Sequence, residues 1–241
     1  MDTLNACGVQ VTAKALSGGT ETAAVNDMQQ HGVTTVACLC SAAQLNPLMS
    51  AADNQAYFPE WMVSNEQFLT YDAGPQMDFP AQQQSHVIGI DFNNELLDPQ
   101  NEFWYRATRE VDPAFAYQQT SQNIYSYYRY EELLLLAAGI QQAGPALNAG
   151  SFQQGLYATR FGNDGHGAAP YYQAAVSLAP GKHSFYDDAA AVWYSASAQS
   201  YTTNQGNTGS YCYSRGGQRS QDWSQPPPPA FYDTSAACRG G

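Results

Sequence analysis

An α/β fold built on a mainly parallel sheet is predicted by three features of this 241-residue chain. Short apolar runs alternate with helix-patterned segments through the first half. The run VTTVACLC (33–40) is continuously β-prone, as in strands covered on both faces. Asn46-Pro47 and Asp98-Pro99 each set a capping residue ahead of proline, which favours the first helical position. Alternation of this kind leads to parallel strands joined by right-handed crossovers.

In chain order, VQVTAKAL (9–16) alternates and reads as a strand, and SGGT (17–20) as a turn. Thr20 caps a short helix, ETAAVNDMQQH, which Gly32 ends. After the 33–40 strand, Leu45, Leu48, Met49 and Ala52 recur at helical spacing. EWMVSN (60–65) and HVIGIDF (86–92) are the next strands. The connection 66–85, with Gly74, Pro75 and Pro80, is long enough to be functional or to pass between lobes. A helix follows through FWYRATREV. The strongest helix signal is YYRYEELLLLAAGIQQAG (127–144), predicted over 124–143. Such a segment is apolar on nearly all sides and needs cover on nearly all sides. Ser151 caps a shorter helix, FQQGLYATR. Beyond 161 the chain is rich in Gly, Tyr and Ser, with strand-like pieces YYQAAVSL and AAVWYS. Four consecutive prolines near the end favour extended polyproline II in a loosely held tail.

Only 12% of residues are charged, and 21 acids against 9 bases give a net charge of −12. That charge repels phosphate and argues against nucleic-acid binding. Polarity comes mainly from Gln, Asn, Ser, Thr and Tyr, a pattern that suits a secreted or surface protein. No apolar run reaches membrane-spanning length. MDTLNACGVQ shows no basic stretch followed by an apolar one, so no signal peptide is legible. Either the protein is cytoplasmic or the sequence starts downstream of the true start. Of five cysteines, Cys38 and Cys40 would share one face of a strand and could not easily bridge. They read as buried thiols. Cys212 and Cys238 can pair in an oxidising compartment.

Ligands bind open parallel sheets beyond the carboxyl ends of the strands. The candidate contacts are therefore Ser41, then Asn65 and Glu66 with Phe68, then Asp91 and Phe92. Ser41 and neighbouring backbone N–H groups suit a carboxylate, because a helix N-terminus offers unpaired donors and a positive dipole end. Glu66 or Asp91 can pair with an ammonium, and Phe68 or Phe92 can cover apolar parts. The plainer reading makes Ser41 a helix cap and Asp91 a solvated loop acid. Nucleophile-elbow, zinc-protease and phosphate-loop motifs are absent. Asp164 and His166 stand close in a glycine-rich loop, GNDGHG, the one hint of a hydrolase. Asp187-Asp188 reads as a turn or helix cap. No metal or cofactor is expected.

Taken in order, GVTTVACLC, YFPEWMVSN, YRYEELLLLAAGIQQAGP, SFQQGL, YDDAAAVWYSAS and GSYCY resemble the latter part of type I periplasmic-type solute-binding proteins. These are the leucine-binding-like receptors of ABC importers, and the resemblance runs from about residue 5 to 215. It implies two α/β lobes that close on a ligand about a hinge. The ligand would be an amino acid or related small solute, the partners a membrane permease and its ATPase subunits, with no catalysis. It further implies an extracellular or cell-surface location, with any signal sequence or lipid anchor on an N-terminus upstream of this chain. Residues 1–120 would be the second lobe and 121–165 crossover helices of the first. Residues 166–215 would return to the hinge and second lobe, and 216–241 would be a flexible tail. A degenerate binding or surface protein of the same fold is the alternative. With most of the first lobe upstream, Leu133, Leu136 and Ile140 should be more exposed than their apolar character warrants.

Overall fold

The computed structural model describes residues 6, 8–64, 69–70, 79–92, 103–116, 121–161, 174–182, 186–199, 208–214, 219 and 238. Three strand–helix steps open the fold: α1 (Glu21–Gln30), β1 (Thr35–Ala37), α2 (Ala42–Asn54), β2 (Glu60–Ser64), α3 (Ala81–Gln84) and β3 (Val87–Asp91). Then come α4 (Phe103–Val111), α5 (Ser121–Ala143), one 3-10 turn (Gly144–Ala146) and α6 (Ala149–Ala158). Four strands complete the described chain: β4 (Arg160–Phe161), β5 (Val176–Ser177), β6 (Ala190–Gln199) and β7 (Thr208–Tyr213).

The main sheet runs β1-β2-β3-β6-β7, and β4 pairs β5 separately. β1, β2 and β3 are parallel; β6 runs antiparallel to β3, and β7 antiparallel to β6. The strand–helix repeats make the parallel half, as their alternation predicts. The antiparallel half is a late addition from the last third of the chain.

The core follows the two periodicities of the sequence. Helix α2 sends Leu45, Leu48, Met49 and Ala52 inward, and α1 sends Ala24 and Val25. Strand β2 buries alternate residues, Trp61 and Val63. Tyr194 of β6 and Tyr211 of β7 join the same cluster and meet edge to face. The Tyr211 hydroxyl donates to the Leu69 carbonyl at 2.6 Å, tying β7 to the connection after β2. The Trp61 indole N–H donates to Gln83 Oε1 at 2.8 Å, and the fully buried Gln83 amide donates to the Tyr57 carbonyl at 3.1 Å.

Several local expectations are corrected. Residues 9–16 form no strand: Val9 is exposed, and no described neighbour pairs with the segment. The expected 33–40 strand shortens to Thr35–Ala37. Beyond it the chain leaves the ladder after Cys38, whose N–H still donates to the Met62 carbonyl. Helix α2 starts before Asn46-Pro47, at Ala42 after Ser41, and carries Pro47 inside. Gln44 Oε1 reaches back to accept from the Ser41 N–H and hydroxyl, which secures the earlier start. Asn148, not Ser151, caps α6: its side chain accepts from the Gly150 and Ser151 N–H groups, while Ser151 Oγ accepts from the Asn148 N–H. Asp98-Pro99, the GNDGHG loop and the four prolines lie outside the described residues.

Among the described residues, helix α5 packs chiefly against α6. Its backbone lies against α6 at two glycines. A Cβ on Gly155 would sit 2.7 Å from the Gly139 carbonyl oxygen, and a Cβ on Gly139 would sit 2.7 Å from Leu156 and Phe152 side-chain atoms. Gly155→Ala is therefore expected to push the helices apart and cost about 1–3 kcal/mol in denaturant unfolding. The other side carries Leu133, Leu136 and Ile140, which are 63%, 47% and 43% exposed. This is the exposure expected of them. Replacing each of the three singly by glutamine should change stability by no more than about 0.5 kcal/mol, the range for surface positions, checked by urea titration.

Candidate functional site at the carboxyl edge of the sheet

Parallel pairing brings the carboxyl ends of β1, β2 and β3 to one edge. Ala37 sits opposite Met62, and Ser64 opposite Ile90. Strands in such a sheet lie about 4.8 Å apart, so the ends of β1 and β3 are separated by roughly 10 Å, a span a small solute can bridge. The antiparallel strand β6 begins at the same edge, with Ala190 opposite Asp91.

Three predicted contacts fall on this edge. Ser41 stands between β1 and α2, half-buried, its hydroxyl engaged by Gln44. Asp91 is the last residue of β3 and only 2% exposed. It is thus a buried acid, not the solvated loop acid of the plainer reading. Phe92 follows with its ring exposed. Asn65, Glu66 and Phe68, predicted at the end of β2, lie outside the described residues.

Two further residues meet at the edge, Asp188 and Arg219, and the second carries no signal in the sequence. The Arg219 guanidinium is buried behind the end of β3. Its Nε donates to Asp188 Oδ1 at 2.8 Å, and its Nη2 donates to the Phe92 carbonyl at 2.9 Å and more weakly to the Asp91 carbonyl at 3.4 Å. Both ionic side chains are nearly fully enclosed. Asp188, read as a turn or cap, is instead the anionic half of this pair. Arg219 sits in a Gly- and Ser-rich stretch 127 residues beyond Phe92, so neither spacing nor composition points to it. Cys238 is likewise held, bridged to Cys212 of β7.

Next to this pair lies a second ionic contact. Lys182 Nζ donates to Asp187 Oδ1 at 2.5 Å and to the Ser177 carbonyl at 2.6 Å. Burial raises the Asp187 pKa. Hydrogen bonds from Lys182 and Ser177, with the positive charge of Lys182 and Arg160, outweigh it and hold the carboxyl below its ordinary value. A folded-state pKa lowered in this way adds stability above the unfolded value, about 3.9, and loses it as pH falls through the folded value. Asp187→Asn is expected to remove about 0.5–1 kcal/mol at neutral pH. It should also flatten the acid limb of a stability–pH profile below about pH 4.

Among the described residues, no group of three or more His, Cys, Asp or Glu side chains could hold a metal ion. No described helix is long and apolar enough to cross a membrane.

No protein-family model and no curated protein matches the sequence. Solved structures do. An ABC transporter substrate-binding protein from Aeropyrum pernix superposes with a TM-score of 0.55 at 12% identity, over 80% of this chain and 50% of that one. LpoA of Haemophilus influenzae superposes with a TM-score of 0.43 at 12% identity, over 79% of this chain and 29% of that one. The first likeness, together with the strand order, defines the fold as type I periplasmic-binding-protein-like: a parallel-sheet lobe with part of a second. The chain spans half the length of that substrate-binding protein.

Proposed function

We propose that the chain is part of an extracellular receptor that binds an amino acid or related small solute between two lobes and hands it to an ABC importer. The observation that carries this reading is the shared carboxyl edge of β1, β2 and β3 in a fold like that of an ABC transporter substrate-binding protein. On this reading Ser41 and the N-terminal N–H groups of α2 receive a carboxylate. Glu66 or Asp91 pairs with an ammonium, Asn65 adds a hydrogen bond, and Phe68 and Phe92 cover apolar parts. Residues 1–120 and 166–215 belong to the second lobe and 121–165 to the first. The Cys212–Cys238 disulfide accords with an oxidising, extracellular location. The bare leucine face of α5 accords with a first lobe that needs sheet from elsewhere in the receptor.

Thermal-shift screening against free amino acids and small amides tests the proposal, on this chain and on a two-lobed version. A solute at about 100 times its dissociation constant should stabilise the responsive protein by about 2.7 kcal/mol. Phe92→Ala should then weaken that solute by about tenfold, or 1.4 kcal/mol, with little effect on unfolding, since the ring is exposed. No stabilisation of either protein by any solute would sink the reading. The alternative, a non-transport binding or surface protein of this fold, is favoured by the Gln- and Tyr-rich composition and the run of four prolines near the end of the sequence. It would be supported by a partner retained by the chain with no solute-dependent closure in solution scattering.

A further inference from the structure

We propose that Cys38 and Cys40 form a redox-active dithiol–disulfide couple, a thiol–disulfide exchange site that stands whether or not a solute binds at the neighbouring sheet edge. The two sulfurs are bridged in the structure, with only Leu39 between the cysteines. The bridge exists because β1 ends at Ala37. Once the chain leaves the extended ladder, the two side chains no longer have to stand parallel on one face.

Three observations separate this bridge from a structural one. A disulfide stabilises a fold chiefly by restricting the unfolded chain, and the effect grows with the length of loop closed. A separation of 2 residues closes almost no loop, whereas Cys212–Cys238 spans 26. The Cys38–Cys40 bridge thus contributes little to folding, and opening it costs little. Access is the second difference. Leu39 is 93% exposed and both flanking cysteines are only half-buried, while Cys212 is fully buried in the core. The third is position: Cys40 directly precedes Ser41, which opens the 13-residue helix α2. A thiolate beside a helix N-terminus is stabilised by the unpaired N–H groups and the dipole.

These features set the direction of exchange. The thiolate of a low-molecular-weight thiol such as glutathione attacks Cys38 Sγ. A mixed disulfide forms there, the Cys38–Cys40 bond breaks, and its electron pair leaves on Cys40 as the helix-stabilised thiolate. A second thiolate of the same kind attacks the outer sulfur of the mixed disulfide and releases Cys38. The small thiol is oxidised to its disulfide, the protein pair gains two electrons, and the two protons given up by the small thiols end on the cysteine sulfurs. Run backwards, the same steps oxidise the pair.

Graded reduction of the whole chain, with quenching by N-ethylmaleimide and peptide mass analysis, tests the proposal without any substitution. The 38–40 peptide is expected to turn from bridged to doubly alkylated at a dithiothreitol concentration at least about tenfold below that needed for Cys212–Cys238. The chain should also accelerate reduction of insulin by dithiothreitol, and Cys38→Ser and Cys40→Ser should each abolish the acceleration. The proposal is overturned if Cys38 and Cys40 are alkylated before any reductant is added. Opening together with or after Cys212–Cys238, or exchange that persists in both serine variants, overturns it equally.

Discussion

Replacing Trp61 by alanine is expected to destabilise the protein by about 3–5 kcal/mol, a large part of the total stability of an ordinary domain. Trp61 is fully buried at the centre of the β2 inner face, among residues of both flanking helices and the antiparallel strands. Truncation leaves a cavity lined by side chains that cannot collapse into it. It also strips Gln83 Oε1 of its indole donor, 2.8 Å away, inside the core. An orphaned buried acceptor costs about 1–3 kcal/mol beyond the packing loss. Trp61→Phe separates the two contributions, since it keeps most of the volume and loses the N–H. Guanidinium unfolding of the three proteins checks this. A loss below about 1.5 kcal/mol for Trp61→Ala would mean that β2 is not the core strand described here.

Removing Arg219 should have a comparable effect. Its guanidinium side chain is 1% exposed and its partner Asp188 side chain 7%. Breaking such a pair on one side leaves a charge in a poorly solvated site, and the usual cost is about 3–5 kcal/mol. Arg219→Ala also withdraws the donor from the Phe92 carbonyl, so the carboxyl end of β3 should loosen. Faster amide hydrogen exchange around Asp91 is the expected signature. Asp188→Ala combined with Arg219→Ala should cost less than the sum of the single changes, because the double variant leaves neither charge facing a missing partner. If Arg219→Ala costs less than about 1 kcal/mol and leaves exchange unchanged, the segment around 219 does not support the site.

Much of the parallel half was legible because each segment carries its own evidence. Leu45, Leu48, Met49 and Ala52 repeat at helical spacing, and Trp61 and Val63 alternate, so α2 and β2 needed no tertiary information. The edge rule then led to Ser41, Asp91 and Phe92, and the parallel pairing of β1, β2 and β3 leaves all three at or just beyond strand ends of one edge. Where local evidence was ambiguous, context overrode it. The alternation over 9–16 suits a strand, but a strand also requires a neighbour, and none of the described strands takes that place. Asn46-Pro47 looked like a helix start, yet Gln44 closing on Ser41 moved the start earlier.

The helical and strand character of the parallel half, and the apolar character of α5, were determined by the sequence alone, since both depend on the residues of one segment; that Leu133, Leu136 and Ile140 stand exposed was decided by what packs around them. Sheet order, the Cys38–Cys40 bridge and the Asp188–Arg219 pair were decided only by the tertiary structure. β6 chose β3 as its neighbour from a hundred residues away, roughly, and a partner selected across so long a loop leaves no periodic trace in either segment. The bridge depended on where β1 stops, at Ala37 beside Met62 of β2, and the continuous β-prone run VTTVACLC does not mark that point. Arg219 became part of the site only because the fold encloses it against Asp188 and the end of β3, where low solvation makes one ionic contact count.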